Sequence, residues 1–291
     1  AQTRDRHLRG AHLAAGVEIA HIAAAARHAH GRHLRPGAAI DLAHRRRVER
    51  TVGLRHRVVA RAPDDARDPG GERVLRQQVH LEGVNASKIV DMQHDKVLYD
   101  SVVNSSIITP DGQSIVWASK MLGKPLKGRV AGIDLMHNLV TLAHEKKYTI
   151  YLLGAKQQEV EKVAARFKKK YNPSIIAGYR NGYFTPQQEA QIAKDISDSN
   201  AQMLFVGIAS PLKEHFIHKH KEALKNINLI MGVGGSFDVL AGFTKRAPLW
   251  MQGIGMEWFF RFLQEPKRMW KRYLVGNTTF IYLVLKEKFK K

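Results

Sequence analysis

The sequence predicts an α/β protein: a mostly parallel sheet with helices on both faces, followed by a C-terminal helical appendage. Three observations predict it. From Val84 onward, short apolar runs of strand length alternate with longer stretches of helical period. Those runs end on turn signals, Pro110-Asp111-Gly112, Gly154-Ala155, Ser210-Pro211 and Gly234-Gly235. Beyond Gly255 the alternation gives way to helical sequence in which aromatic and basic residues interleave.

The elements follow in order. Ser87 to Tyr99 suits a helix, with Ile89, Val90, Val97 and Leu98 apolar. Ser106 to Thr109 reads as a short strand, and Gln113 to Leu122 as a helix. Ile133 to Lys146 is a further helix and Tyr148 to Leu153 a strand. Gln157 to Tyr171 is strongly amphipathic, with Val160, Val163, Ala164 and Phe167 on one face and lysines on the other. Ser174 to Ala177 is expected as a strand. Thr185-Pro186-Gln187-Gln188-Glu189 has the composition of a helix start, Thr as N-cap and Pro first. Strand Met203 to Gly207, a helix from Ser210-Pro211 to about Leu224 and strand Asn228 to Val233 lead into GVGGSFDVLAGFTKRAPLW. In such sheets ligands bind outside the carboxyl ends of the strands, so the four turns mark the expected site.

At 291 residues the chain can form one large domain or two small ones. Residues 1–80 stand apart: they carry Arg but no Lys, hold most of the His and contain no aromatic residue. They are expected to be poorly ordered, beside a core at 81–254 and an appendage at 255–291. A nucleic-acid-binding arm is the functional alternative for them, weakened because no aromatics interleave with the cations. The net charge of +21 points to an anionic partner: nucleotide phosphates, nucleic acid or an acidic membrane surface. The absence of cysteine excludes disulfides and thiolate metal sites. No apolar run has the length of a spanning helix, and the first residues lack the apolar core of a signal peptide.

The chemistry is expected at the strand-end turns. Gly234 and Gly235 let the backbone close a turn and approach a ligand, Ser236 can cap the next helix, and Asp238 stands in its first turn. Together they form a cradle for a phosphate or sugar; a tight turn without a ligand is the alternative. Asp111 can take a proton from a substrate hydroxyl, or cap the following helix. Arg129 can grip a carboxylate or phosphate through two donors. Lys213 and Glu214 either face the same crevice or form an exposed ion pair. His215, His218 and His220 lack the companion ligands of a metal site. No Walker motif occurs and no GxGxxG follows a strand, so ATP hydrolysis and nicotinamide chemistry have no support.

In the tail, Trp258, Phe259, Phe262, Met269, Trp270, Tyr273 and Leu274 interleave with Arg261, Lys267, Arg268, Lys271 and Arg272, and Pro266 divides two helical pieces. An aromatic face beside a basic face suits an interface rich in anionic lipid. A helix packed on the domain, with its cations in water, is the alternative.

From about Val84 to Leu285 the chain resembles the WecG/TagA/CpsF glycosyltransferases of bacterial surface-polymer synthesis. The resemblance is carried by ITPDGQSIVWASKMLGKPLKGRVAGIDL, the SPLKE run at Ser210, GVGGSFDVLAGFTKRAPLW and GMEWFFRFLQEPKRMWKRYLVGN. It implies a Rossmann-like sheet and an inverting transferase. The enzyme would move an N-acetylmannosamine-type sugar, its uronate or a hexose from a UDP-sugar to a lipid-diphosphate-linked saccharide, with no metal and no cofactor. Asp111 matches the family's proposed base. Asn85, Arg129, Gly132, Asp134, Gly154, Lys213, Glu214, Gly234, Gly235, Ser236 and Asp238 fall on the donor side. Arg261, Arg268 and Lys271 are expected over the acceptor's diphosphate, with Arg272, Trp258 and Trp270 at an anionic membrane surface. The implied location is cytoplasmic, peripheral at the inner face of the bacterial plasma membrane, with a homo-oligomer as a further option.

Two departures and one gap accompany the resemblance. Gly83 stands where the family pattern has threonine, and Lys213 where many members have glutamine, which suggests a tuning toward an acidic sugar. Nothing in residues 1–80 resembles the family's opening strand and helix, so the sheet is expected to lack an element. The competing expectation is therefore a non-catalytic basic membrane- or nucleic-acid-binding protein on a degenerate transferase fold.

Overall fold

The computed structural model describes residues 78–289; residues 1–77, and with them most of the segment set apart by composition, lie outside the described residues. Six strands form one all-parallel sheet: β1 (Val79–Val84), β2 (Ile107–Pro110), β3 (Ile150–Gly154), β4 (Ile176–Arg180), β5 (Met203–Gly207) and β6 (Leu229–Gly232). Their order is β2-β1-β6-β5-β3-β4. Such a sheet is buried on both faces, which explains the almost unbroken apolar runs of β3, β5 and β6.

Helices cover both faces. On one side α4 (Gly132–Glu145), α5 (Gln157–Lys170) and α8 (Ser236–Leu240) close over Leu81, Leu152, Phe205 and Met231. On the other, α1 (Ala86–Asp91), α2 (Lys96–Val103) and α3 (Gln113–Met121) pack with Val84 and Ile108, while α6 (Glu189–Asp198) and α7 (Leu212–Lys219) pack on Leu153, Val206 and Ile230. The tail continues as α9 (Leu249–Gly253), α10 (Glu257–Gln264), α11 (Pro266–Trp270), a π-helical turn (Lys271–Val275) and α12 (Gly276–Lys288). α12 buries Phe280 and Val284 in the same cluster as Ile89 and Ile115, so the end of the appendage belongs to the core. Among the described residues no helix is long and apolar enough to cross a membrane.

β1 adds a strand that the sequence reading, which begins at Val84, did not place. It lies inside the sheet, where Leu81 stands opposite Ile107 of β2 and Met231 of β6. The segment in which the family's opening strand and helix were sought, up to residue 77, lies outside the described residues. Smaller corrections have local causes. The helix expected over Ser87 to Tyr99 is two helices, because Asp95 recaps the chain: its Oδ1 accepts from Leu98 N at 2.9 Å. Pro173 opens a 3-10 turn (Pro173–Ile175), so β4 begins two residues later than the apolar run suggests. Thr185 does not cap a helix; its N–H donates to Gln188 Oε1 at 2.9 Å, and α6 starts at Glu189.

The chain leaves β3 outward toward β4 and leaves β5 inward toward β6. Adjacent strands that part in opposite directions open a crevice at their carboxyl ends. The strand-end turns therefore share one edge of the sheet.

Candidate active site

Asp111 follows the last residue of β2, and backbone bonds hold its turn. Its N–H donates to Val84 O at 2.9 Å, at the end of β1. Val130 N donates to Pro110 O at 2.9 Å, and Gly132 N, at the start of α4, donates to Asp111 Oδ1 at 2.9 Å. The carboxylate is thus fixed through one oxygen at a helix N-terminus, where a negative charge is favoured. A Cβ added at Gly83 would lie 3.3 Å from Asp111 Cβ, so the glycine there relieves crowding beside the carboxylate. Asn85 follows β1 at the same rim; its Oδ1 caps α1 by accepting from Lys88 N at 3.1 Å.

The glycine turn after β6 lies on the same edge. Gly234 has φ +50, the left-handed region open to glycine. Ser236 does not cap α8. It is the first helical residue, and its Oγ donates back to Val233 O at 2.6 Å. Gly235 takes the N-cap position, and no side chain bonds the helix start. Arg261 of α10 reaches over this turn: a Cβ at Gly235 would collide with its guanidinium, which stands 4.0 Å from Asp238. A backbone N-terminus and an arginine thus meet at one glycine.

The crevice between β3 and β5 differs in character. Gly154 (φ +140) presses on the Gly207 backbone so closely that no Cβ fits, and Gly182 packs over it. The start of α5 is already satisfied, since Glu159 Oε2 accepts from Lys156 N at 2.8 Å. This part of the edge offers shape and close backbone approach without a free helix end.

An ionic chain crosses from the Asp111 turn to the tail. Arg129 Nη2 donates to Glu257 Oε2, Arg246 Nε lies 3.4 Å from Glu257 Oε1, and Arg246 binds Asp134 through both Nη atoms at 2.5 and 2.7 Å. Asp134 above all holds the Arg246 guanidinium in its charged form.

The WecG/TagA/CpsF glycosyl transferase family model matches residues 64–291. The chain belongs to that family. It is 36% identical over 197 residues to the N-acetylglucosaminyldiphosphoundecaprenol N-acetyl-beta-D-mannosaminyltransferase of Bacillus subtilis (strain 168), covering 68% of this chain and 75% of that protein. It is 38% identical over 177 residues to the protein of the same name from Bacillus spizizenii (strain ATCC 23059 / NRRL B-14472 / W23), covering 60% and 67%. The chain is thus a glycosyltransferase, and the family match begins upstream of β1.

In this glycosyltransferase Lys213 and Glu214 form neither an exposed pair nor part of an open rim. They lie inside, with Glu82 of β1 and Lys88 of α1. Lys88 Nζ stands 2.7 Å from Glu82 and 2.8 Å from Glu214; Lys213 Nζ stands 3.1 Å from Glu82 and donates to Glu214. All four are at most 5% exposed. Gly232 makes room for Lys213, because a Cβ there would occupy the place of its side chain. Burial alone would raise the Glu82 carboxyl, but Lys213 and Lys88 hold it well below the usual carboxylate range. Burial likewise opposes the charge on Lys88, which Glu82 and Glu214 nonetheless push up. Lys213 is lowered, as burial and neighbouring Lys88 outweigh its carboxylates.

Two of the three histidines are tied elsewhere: His215 Nε2 is 2.7 Å from Asp95 and His220 Nε2 is 3.3 Å from Glu189. Among the described residues no group of three or more His, Asp or Glu is placed to hold a metal. Trp258 meets the Phe259 ring edge-on at 5.7 Å and the Tyr273 ring at a tilt at 5.5 Å between centroids, and Trp270 is exposed. The side chains of Arg268, Lys271 and Arg272 lie outside the described residues. Sequence reasoning missed Glu82, Lys88, Arg246 and Glu257. The last two sit within quoted motifs, and an acid at the start of a tail otherwise rich in cations was the available signal for Glu257.

Proposed function

We propose that this transferase moves N-acetylmannosamine, its uronate or a related hexose from a UDP-sugar to a lipid-diphosphate-linked N-acetylglucosamine, with inversion at the anomeric carbon. The names of the two relatives support the sugar and the acceptor. The observation that carries the reading is Asp111: a carboxylate pinned through one oxygen on the edge that also holds the glycine turn of β6, Arg129 and Arg261. In the proposed step Asp111 takes the proton of the acceptor hydroxyl. The hydroxyl oxygen forms a bond to the anomeric carbon as the bond from that carbon to the UDP oxygen breaks, and the electron pair leaves with UDP. The N-terminus of α8, Arg261 and Arg129 offer donors to the charge that develops on the diphosphate. These donors do the work usually given to a cation, so the reading includes no metal. Lys213, buried and paired, lends no support to an acidic sugar.

The acceptor's lipid requires the site to approach a bilayer. Leu249 and Trp250 of α9 are 84% and 65% exposed, and Leu263 of α10 is 59% exposed, on a chain of net charge +21. Exposed apolar side chains on a basic chain suit the interface of an anionic membrane. We place the enzyme there, peripheral at the inner face of the plasma membrane. The test is incubation with a panel of UDP-sugars and a short-chain diphosphate-linked N-acetylglucosamine, with and without chelator, and assignment of the product anomer by NMR. Transfer from a UDP-N-acetylmannosamine-type donor, inverted and insensitive to chelator, is expected. Absence of transfer from every UDP-sugar overturns the reading.

A further inference from the structure

Glu257 is the first residue of α10, and one carboxylate meets two arginines from different parts of the core. Its Oε2 accepts from Arg129 Nη2, and its Oε1 lies 3.4 Å from Arg246 Nε. Arg246 carries the link on to Asp134, in the first turn of α4. The far end of α10 is also tied, as Gln264 Oε1 accepts from Lys245 N and its Nε2 donates to Lys245 O, both at 2.9 Å. The tail helix is therefore pinned at both ends to consecutive residues, and one pin continues to Arg129.

Arg129 stands directly before Val130, whose N–H bonds Pro110 O, and three residues before Gly132, whose N–H bonds Asp111. A guanidinium carries five N–H donors in one plane. A carboxylate on one edge fixes that plane, and the other donors remain to meet a phosphate. Without the carboxylate, a long side chain must lose its rotamer freedom when the ligand binds.

We propose that Glu257 is a positioning residue: it braces Arg129 and the 129–132 loop beside Asp111, and so couples docking of the tail helix to the geometry of the active site. The activity consequence rests on the proposed reading of Arg129 as a ligand of a substrate diphosphate; the brace itself does not. Two measurements separate them. In the first, hydrogen exchange is followed at the amides of Val130 and Gly132 in the full chain. Glu257→Ala is expected to speed their exchange at least about tenfold, Arg246→Ala less, because the Arg129 contact survives. Glu257→Gln, which keeps the shape and an acceptor, should fall between, and it reads the same amides if the alanine variant does not fold. Unchanged exchange in the glutamine and alanine variants overturns the brace.

The second measurement is a double-mutant cycle on turnover. Glu257→Ala should lower kcat/KM roughly 10–100-fold, yet add little in an Arg129→Ala background, since it acts through Arg129. Full multiplication of the two losses overturns that route and makes Glu257 only an anchor of α10. If the wild-type protein transfers no sugar at all, the proposed reaction fails, and the exchange rates still decide the brace.

Discussion

Two ionic clusters of similar composition lie within this transferase, and they behave differently because of where they sit. Glu82, Lys88, Lys213 and Glu214 are buried on one face of the sheet, close to fully out of water. Asp134, Arg246, Glu257 and Arg129 form a chain at the rim, with side chains between 18% and 56% exposed. In the buried set every charge must find its opposite inside, since an unpaired ion there costs several kcal/mol, on the order of 3–5 when a partner is removed. Its carboxyls are held below their usual range, and its charges meet one another and His80, whose Nε2 lies 3.2 Å from Glu82, while one oxygen of Glu214 has no partner. At the rim, water shares the burden, and a ligand phosphate can join or replace a carboxylate. Burial decides which of these charges a substrate can use; residue type alone does not.

The comparison is broken most directly at Asp111, which lies on the rim side. Asp111→Asn keeps an oxygen for the Gly132 N–H but cannot take a proton. Turnover should fall about 10²–10⁴-fold, while the melting temperature and UDP affinity stay near wild type. A variant that retained near wild-type turnover would remove Asp111 as base and dissolve the division between chemistry at the rim and stability below it.

The buried set should show the reverse pattern. Lys213→Met leaves Glu82 and Glu214 with Lys88 as their shared lysine, and should cost about 3–5 kcal/mol in urea unfolding. Donor affinity of the folded fraction should change little. A stable variant with lost donor binding would instead put Lys213 at the substrate.

That cluster also shows what was legible in the sequence. The alternation of strands and helices, the amphipathic period of α5 and the glycine turn after β6 are local signals, and the structure has them where the residues suggest. β1 was not legible, because Val79-His80-Leu81-Glu82-Gly83-Val84 carries a histidine and a glutamate toward the interior. Such a pattern reads as a strand with a wet face. Glu82 is tolerable inside through Lys88, six residues on, together with Lys213, 131 residues away in the chain. The same gap hid the fate of Lys213 and Glu214, whose neighbours in sequence say nothing of Glu82 or Lys88. At the candidate site, Asp111 and the glycines were legible from turn chemistry, whereas the Arg129–Glu257 link joins positions far apart and needed the fold.

Acid titration sharpens the contrast. Glu82 and Glu214 both have pKa values lowered by folding, despite burial, through Lys213 and Lys88. A lowered carboxyl stabilises the fold at pH above its unfolded value, about 4.3, and that contribution is lost as pH falls through the folded value. Stability of the wild type should therefore decline with acidification below about pH 5, as the unfolded chain takes up protons first. Glu214→Gln should be less stable at neutral pH and show a shallower decline, so the two curves converge toward acid. Parallel curves would mean that Glu214 is not held as a carboxylate by the lysines.

The smallest effect is expected at the outer end of the rim chain. Asp134 is 56% exposed and Arg246 28% exposed, and they meet through two bonds at 2.5 and 2.7 Å. The bidentate geometry favours the pair, but solvent screens it, and exposed pairs are worth about 0.2–1 kcal/mol. Asp134→Asn should therefore lower stability by less than about 1 kcal/mol. The loss should shrink between low salt and about 1 M salt, where charges are screened within roughly 3 Å. Lys213→Met, deprived of water and ions alike, should cost nearly the same at both salt concentrations. Paired urea titrations of the two variants decide the matter. Equal salt responses would mean that the rim is as closed to solvent as the interior, and the proposed freedom of Arg129 to meet a phosphate would have no physical basis.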